Sequence, residues 1–199
     1  PIDRVLKDGD TVSLGGTTLT AHLTPGHTKG CTTWTLKAEE GGKTYDVVIV
    51  GSMSLNAANL GDNPGYPTIR EDFVKTFKAM RALPCDVFVG SHTGFYNLQA
   101  KYAKIKADPK GPNPYIDHAG YVALIDTSEK AFLAQLEQFV VDRGFVDGQH
   151  IEHRAFIGHL VLLAEVDVVA EQEVLSSRAQ RRAQHIGDVL EVLERQQVA

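Results

Sequence analysis

Cysteine is scarce in this chain: Cys31 and Cys85 are the only thiols among 199 residues. Two cysteines in unrelated contexts make no disulfide framework, and they leave the redox compartment open. No sign of charge dominates either. Twenty Lys and Arg stand against 25 Asp and Glu, for a net charge of -5. That balance lacks the basic footprint of a nucleic-acid binder. The most apolar run, HLVLLAEVDVVA, is broken by Glu165 and Asp167. It is too short and too charged to span a bilayer, so no membrane partner is expected. No basic n-region or apolar h-region follows Pro1, so no signal peptide is visible. An opening of this kind reads as a mature form or a fragment, and it says nothing of targeting. Internal repeats and low-complexity tracts are also absent.

What is present is ordinary globular composition, 43% hydrophobic and 23% charged. The length suits one good core with an appendage. DTVSLGGTTLTAHLTP alternates about Gly15-Gly16 and predicts a β-hairpin. CTTWTLKAE and KTYDVVIVGS, joined through Gly41-Gly42, predict a second pair of strands. The VVIV run predicts a central strand buried on both faces. In IREDFVKTFKAMRALP, Phe73, Phe77, Met80 and Leu83 recur at helical spacing and Pro84 stops the helix. CDVFVGSH predicts a short strand, and NLQAKYAKIKA a short basic amphipathic helix. TSEKAFLAQLEQFVV predicts a helix starting with a capping box at Thr127 or Ser128. From about Gly144 onward the chain has no proline, and helix in two pieces is expected there. Strands, helix, strand, helix is an α/β arrangement, with chemistry expected in loops at strand ends.

Two of those loops carry a histidine. His27 sits in TPGHTKG, where Pro25, Gly26, Thr28 and Gly30 suit one sharply turned loop. His92 follows a short apolar strand and a Gly-Ser step in DVFVGSHTGFY. Each, taken alone, reads more readily as a structural loop residue than as a ligand. If the fold brings them together they offer two imidazole donors to a metal. Ser52 and Ser54 end the apolar strand in VVIVGSMSLN. They suit either a turn that satisfies its own backbone or the binding of water or an anion. His150, His153 and His159 have no acid or Cys pattern around them and read as solvated residues. Cys85 reads as a packed thiol rather than a nucleophile.

TPGHTKGCTTW, VVIVGSMSLN, YPTIREDFVKTFKAMRALPCDVFVGSH and GFYNLQAKYA, in that order, resemble the C-terminal half of a class B β-lactamase of subclass 3. These are zinc enzymes of the metallo-β-lactamase superfamily. The resemblance runs from about Ile2 to about Gln138. It implies the second half of a four-layer αβ/βα sandwich (α/β, or α+β), with two zinc ions between two similar halves. It implies that His27 is the third histidine of the first zinc site and His92 a ligand of the second. The other four ligands belong to an HxHxDH motif that this sequence does not contain. Ser52 stands where most superfamily hydrolases have a metal-bridging Asp and subclass 1 lactamases a Cys. The resemblance therefore gives Ser52 a bond to a metal-bound water and Ser54 a bond to the substrate carboxylate.

The implied activity is zinc-dependent hydrolysis of the β-lactam amide, with a β-lactam as substrate and a periplasmic or secreted location. Residues 1–140 are expected to form half of the domain, and 141–199 an extension, helical or poorly ordered. This chain is expected to be a fragment, inactive alone. Other readings are a superfamily hydrolase of thioesters or lactones, and a non-catalytic binding module. Oligomeric state and a Cys31–Cys85 bridge stay open.

Overall fold

The computed structural model describes residues 2–55, 60–61 and 63–143, with side chains described up to 139. The helical pieces expected after residue 144, with His150, His153 and His159, lie outside the described residues. Strands β1 (Thr11–Leu14), β2 (Thr17–Leu23), β3 (Thr32–Glu40) and β4 (Lys43–Val50) form an antiparallel meander. Both expected hairpins are present, and Gly15, Gly16, Gly41 and Gly42 take the positive φ their two-residue turns require. Helix α1 (Ile69–Ala82) then crosses over to β5 (Val87–Gly90), which pairs parallel to β4. A parallel pair needs such a crossover. Helices α2 (Leu98–Ala107) and α3 (His118–Arg143) complete the described chain.

Side chains alternate across the sheet, so register decides which residues share a face. Thr35 lies opposite Val48, and Trp34 opposite Ile49. Val48, Val50 and Phe88 point to one face and are buried there beneath α1 and α3. Phe73, Phe77 and Phe132 form the centre of that core, with ring centroids 5.3 to 6.0 Å apart. Trp34, Leu36, Val47, Ile49 and Val89 belong to the other face and are half-buried. The expectation for VVIV is thus corrected. The strand is central, but only Val48 and Val50 are fully buried. Among the described residues, the core cluster draws on one sheet face alone.

Two helix expectations also change. Helix α3 begins at His118 and not at Thr127 or Ser128. Asp117 caps it: its carboxylate accepts from the Gly120 N–H at 2.9 Å. Ser128 instead donates to the Leu124 carbonyl at 2.8 Å, which lets a serine sit inside a helix without starting one. Helix α2 is barely amphipathic, because its one buried residue is Lys101. The Lys101 ammonium lies 2.8 Å from Asp117 and 4.6 Å from the centroid of the Phe88 ring. The lysine stem packs while its charge is paired.

Cys31 and Cys85 are both free thiols, so no bridge joins them. Burial, and then the charges of Asp86, Asp46 and Asp117, push the Cys85 thiol up to about 12. It is a packed, unreactive group, as its sequence context suggests.

Burial acts to raise the Asp117 carboxyl, but the Lys101 ammonium, the Gly120 N–H and the Lys104 charge outweigh it and hold the group below the usual range. The folded chain therefore binds the Asp117 proton more weakly than the unfolded chain does. Its contribution to stability is complete above the ordinary Asp value of about 3.9 and is lost as pH falls through the lowered folded value. Urea unfolding of wild type and Asp117→Asn at neutral pH and at about pH 3 tests this. The variant is expected to be the less stable at neutral pH, with the gap narrowing in acid. A gap that stays constant would contradict the assignment.

Candidate functional site

Strand β3 runs antiparallel to β4, and β4 runs parallel to β5. The start of β3 and the ends of β4 and β5 therefore lie at one edge of the sheet. The TPGHTKG loop leads into β3, Ser52 and Ser54 follow β4, and His92 follows β5. The fold gathers all four sequence-predicted residues at that edge.

The His27 loop is seated on helix α1. Gly26 has φ +136°, and a Cβ added there would meet the Phe73 ring at 2.8 Å. Only glycine supplies both the conformation and the close approach. The buried Thr76 hydroxyl donates to the Pro25 carbonyl at 2.5 Å, and the Cys31 N–H closes the turn onto the Thr28 carbonyl at 3.2 Å. The loop's far end meets the β4 end, where the Cys31 thiol lies 3.5 Å from the Ser52 carbonyl. Gly51 is needed there, because a Cβ would come within 2.5 Å of the Thr32 carbonyl oxygen.

His27 is joined to the serine pair. Its Nδ1 lies 2.8 Å from the Ser54 carbonyl oxygen and 3.3 Å from Ser54 Oγ. The Ser54 and Ser52 hydroxyls are 3.0 Å apart, and the Ser54 N–H donates to Ser52 Oγ at 3.2 Å. Ser52 is buried, at 6% exposure, while Ser54 is half-buried. A carbonyl oxygen only accepts, so Nδ1 of His27 carries the proton and the lone pair of the neutral ring falls on Nε2. That is the form in which an imidazole ligates a metal through Nε2.

His92 is held differently. The Ser91 hydroxyl donates to the Gly51 carbonyl at 2.8 Å, which ties the β5 end to the β4 end. The Phe95 N–H bonds the His92 carbonyl at 3.0 Å, and the Phe95 ring meets the His92 imidazole edge-on at 5.2 Å. Phe95 crosses Gly90 so closely that a Cβ there would sit 3.0 Å from the ring. His92 itself is exposed.

Three supporting residues escape a reading of the sequence. Thr76 looks like any helix position. Phe95 looks like a generic aromatic after a Gly. Tyr66, whose hydroxyl burial and then Asp72 push up to about 12, belongs to a loop of turn residues. Spacing from Thr76 to Thr68 and Asp72 signals a helix and nothing about the loop it supports. Among the described residues no group of three or more His, Cys, Asp or Glu is gathered. His22 and His118 are engaged elsewhere, with Thr35 and with the Cys85 carbonyl.

Gly26→Ala is expected to destabilise the chain by more than about 1 kcal/mol, from the strained φ and the contact with Phe73 together. Gly30→Ala, with nothing within 4 Å of the added Cβ, is expected to stay within about 0.5 kcal/mol of wild type. Denaturant midpoints measure both. Equal effects would show that the loop is not seated on α1 as described.

No protein-family model matches the sequence. Solved structures do match it. The native metallo-β-lactamase from Legionella gormanii is 44% identical with a TM-score of 0.66, over 69% of this chain and 52% of that one. A subclass B3 metallo-β-lactamase of Bradyrhizobium japonicum is 36% identical with a TM-score of 0.65, over 69% and 51%. A class B3 di-zinc metallo-β-lactamase from an Alaskan soil metagenome is 28% identical with a TM-score of 0.55, over 65% and 49%. The chain spans about half the length of these relatives.

Proposed function

The chain carries the fold of the subclass B3 metallo-β-lactamases across about half of such a protein's length, and we propose that it supplies one half of a zinc-dependent β-lactam hydrolase. The observation that carries this reading is the placement of the His27 and His92 loops at a single sheet edge. His27 and His92 are the proposed zinc ligands. Two imidazoles fit zinc as nitrogen donors, and His27 is already held in a ligating tautomer. Two ligands fall short of the three protein ligands that catalytic zinc sites use. The proposal therefore requires further ligands of the HxHxDH kind, which the 199 residues do not contain.

Zinc, when bound, supplies Lewis acidity toward a carbonyl and an acidified water near neutral pH. The chain's own residues do the rest. The Ser54 carbonyl orients the His27 ring, and the Gly51 carbonyl and Phe95 fix the His92 loop. Of the serine pair, half-buried Ser54 is the member proposed to meet a substrate carboxylate. Ser52 lies nearly fully buried behind it. A neutral hydroxyl at Ser52 is a poor metal ligand beside a carboxylate, which favours a lactamase over the hydrolases that use a bridging Asp. A periplasmic or secreted location, and a role in antibiotic resistance, belong to the same proposal. No described helix is long and apolar enough to cross a membrane.

Joining this chain to a first half that carries an HxHxDH segment tests the reading. Hydrolysis of a carbapenem, lost on chelation and abolished by His27→Ala or His92→Ala, is the expected result. The 199-residue chain by itself is expected to show no turnover. Retained hydrolysis in the two alanine variants, or preference for a thioester over the lactam, would overturn it.

A further inference from the structure

We infer that the sheet face turned away from the helices binds a second copy of this chain, and that the pair shares one zinc through His27 and His92 of both copies. The shared zinc rests on the zinc reading of these two histidines. The interface rests on strand register, which lays two apolar rows across the sheet. Ala21, Trp34, Ile49 and Val89 stand side by side in the first. In the second, Val12 pairs with Leu19 and Leu36 with Val47. Side chains alternate, so the opposite face of the same strands carries Thr18, Thr20 and Thr35. Strands β1 to β3 are therefore patterned to bury the face away from the helices. All three described helices lie on the other side. Residues of α1 and α3 share a core with Val48 and Phe88, and α2 brings the Lys101 ammonium to the Phe88 ring.

The size of the face suits a partner. At about 4.8 Å between strands it measures about 24 Å across and about 20 Å along. That is on the order of 500 Å², the size at which an apolar patch marks an interaction site. The metal edge decides which partner. The chain offers two imidazoles there, with His27 half-buried and His92 exposed. Zinc in a closed site takes four ligands in a tetrahedron. A two-fold axis between two such faces, parallel to the strands, turns one face onto the other and keeps the same strand ends together. The His27 and His92 loops of both copies then meet at one edge, and two imidazoles from each make four. A site closed in this way has no open position for water, so the dimer is inactive by itself.

Sedimentation velocity of the full 199-residue chain, with zinc and with chelator, tests the inference. Trp34 gives a second readout, because it is the one tryptophan and lies in the first apolar row. A concentration-dependent dimer is expected, with Trp34 emission moving to the blue as it forms. Zinc should bind at one per two chains. Free zinc at about ten times its dissociation constant should tighten the dimer about 10-fold. Leu36→Lys should leave a monomer, and Thr18→Lys on the opposite face should not. Val12→Lys, at an edge position already 41% exposed, should weaken the dimer with little demand on folding. His27→Ala and His92→Ala should remove the zinc effect and keep the zinc-free dimer. A monomer at every concentration, with or without zinc, overturns the inference. So does a dimer that survives both Leu36→Lys and Val12→Lys. One zinc per chain, held by His27 and His92 in a monomer, overturns it and leaves the zinc reading standing. A dimer through this face that ignores zinc and both alanine variants overturns the shared site and the zinc reading together.

Discussion

The seat of Pro25 and Gly26 on helix α1 is the contact on which the rest of the site depends. Gly26 lets the chain pass against the Phe73 ring where no side chain fits. Thr76, one turn further along the same helix, holds the Pro25 carbonyl. Phe73 is at the same time a centre of the core, packed on Phe77 and Phe132. The loop that presents His27 is therefore fastened to the buried core of the described residues. The loop gains the rigidity of a packed interior through buried Thr24 and Gly26, while Thr28, Lys29 and Gly30 stay exposed.

The same economy of parts appears at the other loop. Parallel pairing of β4 with β5 sets their ends side by side, and Ser91 bonds across the gap to Gly51. Gly51 also lets the start of β3 approach within reach of the Ser52 segment. Three strand ends are thus locked to one another by backbone and short side chains. His27, Ser52, Ser54 and His92 ride on that lock.

Much of this was legible in the sequence, for identifiable reasons. Gly15-Gly16 and Gly41-Gly42 announce tight turns, and Phe73, Phe77 and Met80 announce a buried helix face, because local chemistry determines both. The edge location of His27 and His92 followed from Gly-containing loops at strand ends. The misses share a cause as well. Val47 and Ile49 are apolar, and composition alone does not say which sheet face finds helices to pack on. Thr127 and Ser128 imitate a cap, but Asp117 reaches the free N–H of Gly120 first. NLQAKYAKIKA reads as a basic amphipathic helix, and nothing local marks Lys101 as the residue that the fold buries against Asp117 and the Phe88 ring. The bond from Ser54 to His27 spans 27 positions and depends on sheet register, which no local pattern encodes.

The central claim is that His27 and His92 form the metal-binding edge of this chain. Zinc titration of the ¹⁵N-labelled 199-residue protein, followed at the histidine ring nitrogens, tests it most directly. The His27 and His92 resonances are expected to move first and together, with Nε2 of His27 as the shifted donor. A first response from His150, His153 or His159, with His27 and His92 unmoved, would contradict it.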